Sequence, residues 1–219
     1  MLQHQDKVKS YACIDGKVNS HYQNHSIIDF EIKKSLEILD TTTSTAKRKE
    51  LQFIISELNR IKTSDFTEFH KDVNWMKHEV PPILGFNAYF ADTSKAISFN
   101  DVLQDSALMN LMRYNREEYV EIAKKAETVN RAFRNNPDYN NINIESDLAN
   151  IKTPTIVIQG DKDYVVGIEH AELIYKALSG LSEENKEIHI IPNTGHSPAI
   201  ESPDKLLEIL TLFFSKHTN

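Results

Sequence analysis

The reading of this chain turns on the stretch Pro154–Ile200. It opens with Thr155-Ile156-Val157-Ile158-Gln159 followed by Gly160-Asp161-Lys162-Asp163. It then repeats the same grammar as Glu187-Ile188-His189-Ile190-Ile191 followed by Pro192-Asn193-Thr194-Gly195-His196. Each half is a short β-branched run that ends in a turn carrying an ionisable residue. The amphipathic segment Ile168–Leu178 lies between them and is long enough for a helix. Strand, helix, strand at this spacing predicts a crossover unit in a parallel sheet. Both turns then leave the carboxyl edge of the sheet, where open α/β sheets place their chemistry. An acid and a histidine at one rim are two of the three members of a charge-relay constellation.

Outward from that unit, Val8–Ile14 reads as a third strand, closed by the turn signal Asp15-Gly16. Between it and Thr155 the pattern is helical. Ser26 with Asp29 resembles a capping box that opens a segment with Ile28, Ile32, Leu36 and Leu39 on one face. After a threonine-rich break at Thr41–Ala46, Leu51, Ile54, Ile55, Leu58 and Ile61 recur at helical spacing. Aromatic residues Phe66, Phe69, Trp75, Phe86, Tyr89 and Phe90 follow, interrupted by Pro81-Pro82. Val102–Tyr114 and Glu117–Phe133 complete the set. The latter carries a core stripe of Tyr119, Ile122, Ala126, Val129 and Phe133, and Asn135-Asn136-Pro137-Asp138 ends it. Ser202-Pro203-Asp204 starts a final helix that buries Leu206, Leu207, Leu210 and Phe213 or Phe214. Three strands leave the Val8–Ile14 edge unpaired, and such an edge invites another chain.

Composition narrows the function classes. The 219 residues are 40% hydrophobic and 26% charged, as in a globular protein. A formal net charge of −7 without a compact basic patch excludes a nucleic-acid partner; Lys47-Arg48-Lys49 is followed at once by Glu50. No run reaches the roughly 20 apolar residues of a membrane span. The N-terminus has no signal-peptide core. The lone Cys13 excludes an intrachain disulfide and fits a small buried thiol. These features predict a cytoplasmic protein.

The two turns and their flanks, Ile151–Asp163 and Ile191–Asp204, resemble the carboxyl-terminal third of an α/β-hydrolase. The resemblance implies that Asp163 is the triad acid and His196 the triad histidine. It implies a partial α/β-hydrolase core of three parallel strands, built from residues 1–19 and 146–219, with a large helical cap at 20–145. The opening Asp6–Gly16 and the cap are most similar to proline iminopeptidases. That similarity implies a serine hydrolase of aminopeptidase type, acting on a small peptide, amide or ester without a cofactor.

One part of the family pattern is missing. The nucleophile elbow needs G-x-S-x-G, and no two of the six glycines (16, 85, 160, 167, 180 and 195) lie four apart. The nucleophile and the oxyanion-hole loop are therefore expected outside this sequence, which then reads as the later portion of a hydrolase, inactive alone. It would need a complementary N-terminal fragment, or it would self-associate through the open edge. Two rivals remain: a capped hydrolase with an aspartate nucleophile, and a non-catalytic, ligand-binding remnant. Asp161 is a weaker acid candidate, better suited to stabilising its turn. His21 and His25 lack a third ligand, so no metal is expected. His170 and His189 read as packing or surface residues, and Ser197 cannot reach back to His196. Glu68 and Glu79 are candidates for recognising a substrate amine.

Overall fold

In a computed structural model, β2 (Thr155–Gly160) lies at the centre of a three-stranded parallel sheet. The structure describes residues 4–64, 66, 68–96, 98–106, 109, 115–134, 136 and 141–217. β1 (Tyr11–Ile14) pairs on one side of β2, with Tyr11 opposite Thr155. β3 (Lys186–Ile191) pairs on the other, with Thr155 opposite Lys186. Every residue of β2 is buried, as expected of a strand flanked on both edges and covered on both faces. Strand pairing starts at Tyr11, three residues later than expected from Val8. Gln5–Lys7 instead forms a 3-10 turn, and the Tyr11 N–H meets the Pro154 carbonyl at 2.9 Å.

The alternation along β2 separates two apolar layers. Val157 packs with Val18, Leu148, Ile151, Ala171, Ile174 and Leu178; three of these belong to or follow α8 (His170–Ala177). Ile156 and Ile158 face the other way, with Ile191 and with Leu206, Ile209 and Phe213 of α9 (Pro203–His217). The spacing of that last helix puts Ile209 in the core and leaves Leu207 exposed, contrary to the expectation for Leu207.

Between β1 and β2 lie α1 (Ser20–Thr41), α2 (Thr45–Ser64), α3 (Phe69–Asn74), a π-helical turn at Trp75–Glu79 and α4 (Val80–Ile83). α5 (Phe99–Gln104), α6 (Arg116–Arg134) and α7 (Glu145–Leu148) follow. The two ends of this insertion meet: the Ser20 N–H donates to the Ile142 carbonyl at 2.8 Å and the Ile144 N–H to the Val18 carbonyl at 2.9 Å. α1 packs on α2 around Ile27, Ile28, Leu51, Ile54, Leu58 and Ile61, joined by Phe66, Met76 and Val80.

Several sequence expectations for the insertion are corrected. α1 starts six residues before Ser26, because the Asn19 side chain caps the Tyr22 N–H at 2.9 Å. Its buried face runs through Ile27, Ile28, Glu31 and Ser35, and Leu36 is exposed. Pro81 and Pro82, which interrupt the aromatic cluster in the sequence, fall within helical backbone. They occupy the first turn of α4, where a missing N–H costs nothing. On α6, Ile122, Ala126 and Val129 face solvent, since no described element covers that stripe. The side chain of Phe133, most of residues 107–114, and the expected breaker positions Asn135, Pro137 and Asp138 lie outside the described residues. The boundaries of β2, β3 and α8 agree with the sequence within two residues. No helix among the described residues is long and apolar enough to cross a membrane.

Glu31 is the oddity of the helical layer. It is fully buried, and neither carboxyl oxygen has a partner. Burial, opposed by Lys77, pushes its carboxyl up to about 9, so it is neutral at physiological pH. The unfolded chain releases this proton near the ordinary value of 4.5. Stability therefore falls as pH climbs from there towards 9. Glu31→Gln is expected to stabilise the protein at pH 8, by on the order of 2 kcal/mol, and to give no such gain at pH 4. Thermal unfolding followed by circular dichroism at the two pH values checks this.

Candidate active site

The site is built where β2 and β3 end. After Gly160 the chain turns back, the Asp163 N–H donating to the Gly160 carbonyl at 3.3 Å. This places the Asp163 carboxylate in the interior, fully buried. One of its oxygens accepts the Val165 and Val166 N–H groups at 2.9 and 3.2 Å. The other lies 3.0 Å from His196 Nδ1. Bonds of this kind, to an ion, contribute about 1.5–3 kcal/mol each. They explain how a carboxylate tolerates full burial.

β3 delivers the histidine through a tight loop. Asn193 takes the left-handed conformation at φ 52°, which asparagine tolerates better than most residues. The Thr194 and Ser202 hydroxyls are 2.7 Å apart and close the loop at its base. The two turns are then fastened to each other. The Lys162 N–H donates to the Thr194 carbonyl at 2.9 Å, and Asp161 accepts the Thr194 N–H at 3.3 Å. Asp161 thus stabilises the turn, as the sequence suggested, and Asp163 is the residue that meets His196.

Groups that the sequence did not mark as part of the site hold this arrangement. Buried Glu201 accepts the Gly195 N–H at 2.7 Å with one oxygen and the Asp92 N–H at 3.0 Å with the other. The His196 N–H donates to the Tyr89 carbonyl at 2.7 Å. The segment 89–95 of the helical insertion is therefore locked onto the histidine loop. On the acid side, Gln23 and Lys77 both donate to the Val165 carbonyl, at 2.5 and 3.1 Å. A capping pattern or a helical stripe carries no trace of such long-range bonds, so neither residue was recognisable beforehand.

Electrostatics suit a base. Burial opposes the charged form of His196, but the hydrogen bond and charge of Asp163, with Asp15 adding, hold its imidazole above the usual histidine value. With Nδ1–H directed at Asp163, the neutral ring keeps its lone pair on Nε2, which has no hydrogen-bond partner among the described residues. A cleft of about 370 Å³ is lined by residues flanking both turns, among them Lys162, Tyr164 and Asn193, together with Phe86 and Phe90.

The other candidates are placed elsewhere. His170 is buried, its Nε2 accepting the Val18 N–H at 3.0 Å, and burial lowers its pKa. His189 lies on β3 at 3.3 Å from Glu187. His21 and His25 stack on each other and belong to no three-ligand group among the described residues. Glu68 is exposed and paired with Lys71, and Glu79 is exposed. Cys13 is a free thiol that burial pushes up to about 11. Among the described residues, Asp15, Asp163 and His196 each bring one carboxyl oxygen or ring nitrogen to within 4.8 Å of the others. Asp15 entered the sequence reading only as a turn signal.

A family model for the prolyl oligopeptidase family matches residues 85–219. The chain belongs to that family. Membership places it among the α/β-hydrolases, in agreement with the parallel sheet and the acid and histidine turns. One curated relative is similar over a shorter stretch: the monoacylglycerol lipase ABHD6 of Mus musculus is 28% identical over 76 residues, 35% of this chain and 21% of that protein. Among solved structures, a bacterial membrane phospholipase A is matched over 100% of this chain and 52% of its own, at 18% identity and a TM-score of 0.47. An α/β-hydrolase from a Medee basin deep-sea metagenome library is matched over 98% and 60%, at 17% identity and a TM-score of 0.39. The chain spans little more than half the length of these structures.

The contact between the two turns leaves no room at Gly160. A Cβ there would lie 2.1 Å from the Thr194 carbonyl oxygen and 2.4 Å from that of Gly195. Gly160→Ala is expected to cost about 1–3 kcal/mol and to pull His196 off Asp163. Chemical denaturation measures the first effect. Loss of the low-field imidazole Nδ1 proton resonance reports the second.

Proposed function

We propose that this chain supplies the acid, the base and the lid of a cytoplasmic serine hydrolase that cleaves small peptides, amides or esters through an acyl-enzyme. The observation that carries the reading is the 3.0 Å bond from His196 Nδ1 to the buried Asp163. In this reading His196 Nε2 takes the serine proton as the hydroxyl attacks the carbonyl, then passes it to the leaving group. Water repeats the sequence to release the acyl group. Asp163 remains ionised throughout, fixing the tautomer and stabilising the imidazolium. The chemistry uses no cofactor.

The nucleophile and the oxyanion-hole amides come, in this proposal, from a segment outside these 219 residues, since the sequence has no G-x-S-x-G. Losing a triad member costs on the order of a million-fold in rate. A fluorophosphonate probe is therefore expected to leave the chain alone unlabelled. Coexpression with a polypeptide carrying the elbow should give labelling of that polypeptide, abolished by His196→Ala. Labelling of the isolated chain overturns the proposal. No labelling in the mixture reduces the chain to a non-catalytic remnant.

For the substrate we propose a short peptide with a free amino end, supported by the helical lid and the iminopeptidase-like opening. Exposed Glu68 and Glu79 are poor candidates for binding that amine. The lipase likeness supports an ester instead, and an aminoacyl coumarin against a nitrophenyl ester as substrates separates the two. The complementary segment would pair along the outer edge of β1, where Tyr11 and Ile14 are exposed. Without it the chain is expected to self-associate through that edge. Light scattering over a concentration series should show a rising mass; a constant monomer mass sinks that part.

A further inference from the structure

Asp15 ends β1 in the left-handed region, at φ 47°, which few residues with a side chain adopt. Its N–H still extends the ladder, donating to the Ile158 carbonyl at 2.9 Å. The turn carries its carboxyl group across the end of β2, where it accepts the Gly160 N–H at 3.4 Å. There a carboxyl oxygen of Asp15, one of Asp163 and a ring nitrogen of His196 all lie within 4.8 Å of one another.

Two carboxylates this close disfavour each other's ionised form, so one of them is the readier to keep a proton. The hydrogen bonds decide which. Asp163 receives two amides and the imidazole, all of which favour its charged form. Asp15 receives one long bond. The proton therefore belongs to Asp15.

We propose that Asp15 is a positioning residue: its carboxyl group donates a hydrogen bond to the Asp163 carboxylate and so holds the acid that orients His196. The inference rests on the reading of Asp163 and His196 as acid and base. The electrostatics point the same way. Burial first, then the charge of Asp163 and a hydrogen bond to it, push Asp15 up to about 7, against the pull of His196 and the Gly160 amide. The other ionisable groups facing the cluster are Lys77 from the π-turn, which burial and Lys17 push down to about 7, the Cys13 thiol on β1, and His170 of α8, which feels the Asp163 charge while burial lowers its pKa. Asp15 thus keeps, in the folded chain, a proton that the unfolded chain releases near pH ~4. Above about 7 it loses that proton, and a second negative charge then faces Asp163.

The test is a titration of the full chain, with 13C-labelled aspartate carboxyls and 15N-labelled imidazoles followed by NMR. Asp15→Asn identifies the Asp15 resonance by its disappearance. The expected Asp15 inflection lies near pH 7, echoed as a second step in the His196 curve. In Asp15→Asn that second step vanishes while the low-field Nδ1 proton persists, because the amide still donates to Asp163. A residue that merely caps Gly160 would titrate near pH ~4 as an ordinary carboxylate, and that result overturns the proposal. Should the variant fail to fold, Asp163→Asn supplies the second arm: its loss of charge is expected to bring the Asp15 inflection down, and an unmoved inflection counts against the pair. Failure of the hydrolase reading in the labelling experiment leaves this titration unaffected.

Discussion

A carboxylate withdrawn from water survives only where donors converge on it, and that constraint on Asp163 organises the site. Two amides of its own turn and the His196 ring supply the donors. The amides require the turn after β2 to fold back on itself, and the ring requires the loop after β3 to arrive at the same point. Both loops must leave one edge of the sheet, which the parallel pairing of β2 and β3 ensures. Gly160 then has to be a glycine, because the two loops touch over its α-carbon.

The core and the helical layer obey different rules. Around β2 the packing is apolar on both faces, with Ile156 and Ile158 on one side and Val157 on the other. In the helical layer the contact between α1 and α2 is apolar, but α1 also buries Gln23, Asn24, Glu31 and Ser35. Buried polar groups cost stability unless they are paired. Gln23 is paired, reaching the Val165 carbonyl of the acid loop. Glu31 is not, and it meets the cost by keeping its proton. The layer thus gives up some stability for a face that can reach across to the acid loop.

What the sequence made legible follows from the range of the interactions. β2, α8 and β3 are specified by local runs, so their types and order were readable, as was the placing of Asp163 and His196 on one rim. The start of α1 was misread at Ser26 because a genuine capping pattern there competes with Asn19, whose advantage is tertiary: the neighbouring backbone is pinned to Ile142 and Ile144. The apolar stripe of α6 obeys helical spacing yet faces solvent at Ile122 and Val129. Periodicity reports amphipathicity and says nothing of what lies opposite. Lys77, Glu201 and Asp15 act through partners far off in the chain, Val165, Asp92 and Gly160 respectively, 88 to 145 residues away. A single chain read in order holds no signal for such pairings.

The Glu201 carboxylate has a mechanical consequence. Its two oxygens bind the histidine loop and the 89–95 segment at once, and Lys95 grips its main-chain carbonyl at 2.7 Å. Lifting that segment would strand a charge in a dry environment, so the two parts move together or not at all. Displacement of the roof is then felt at the imidazole as a loss of aim. The histidine loop and the segment above it are, in effect, riveted into one piece.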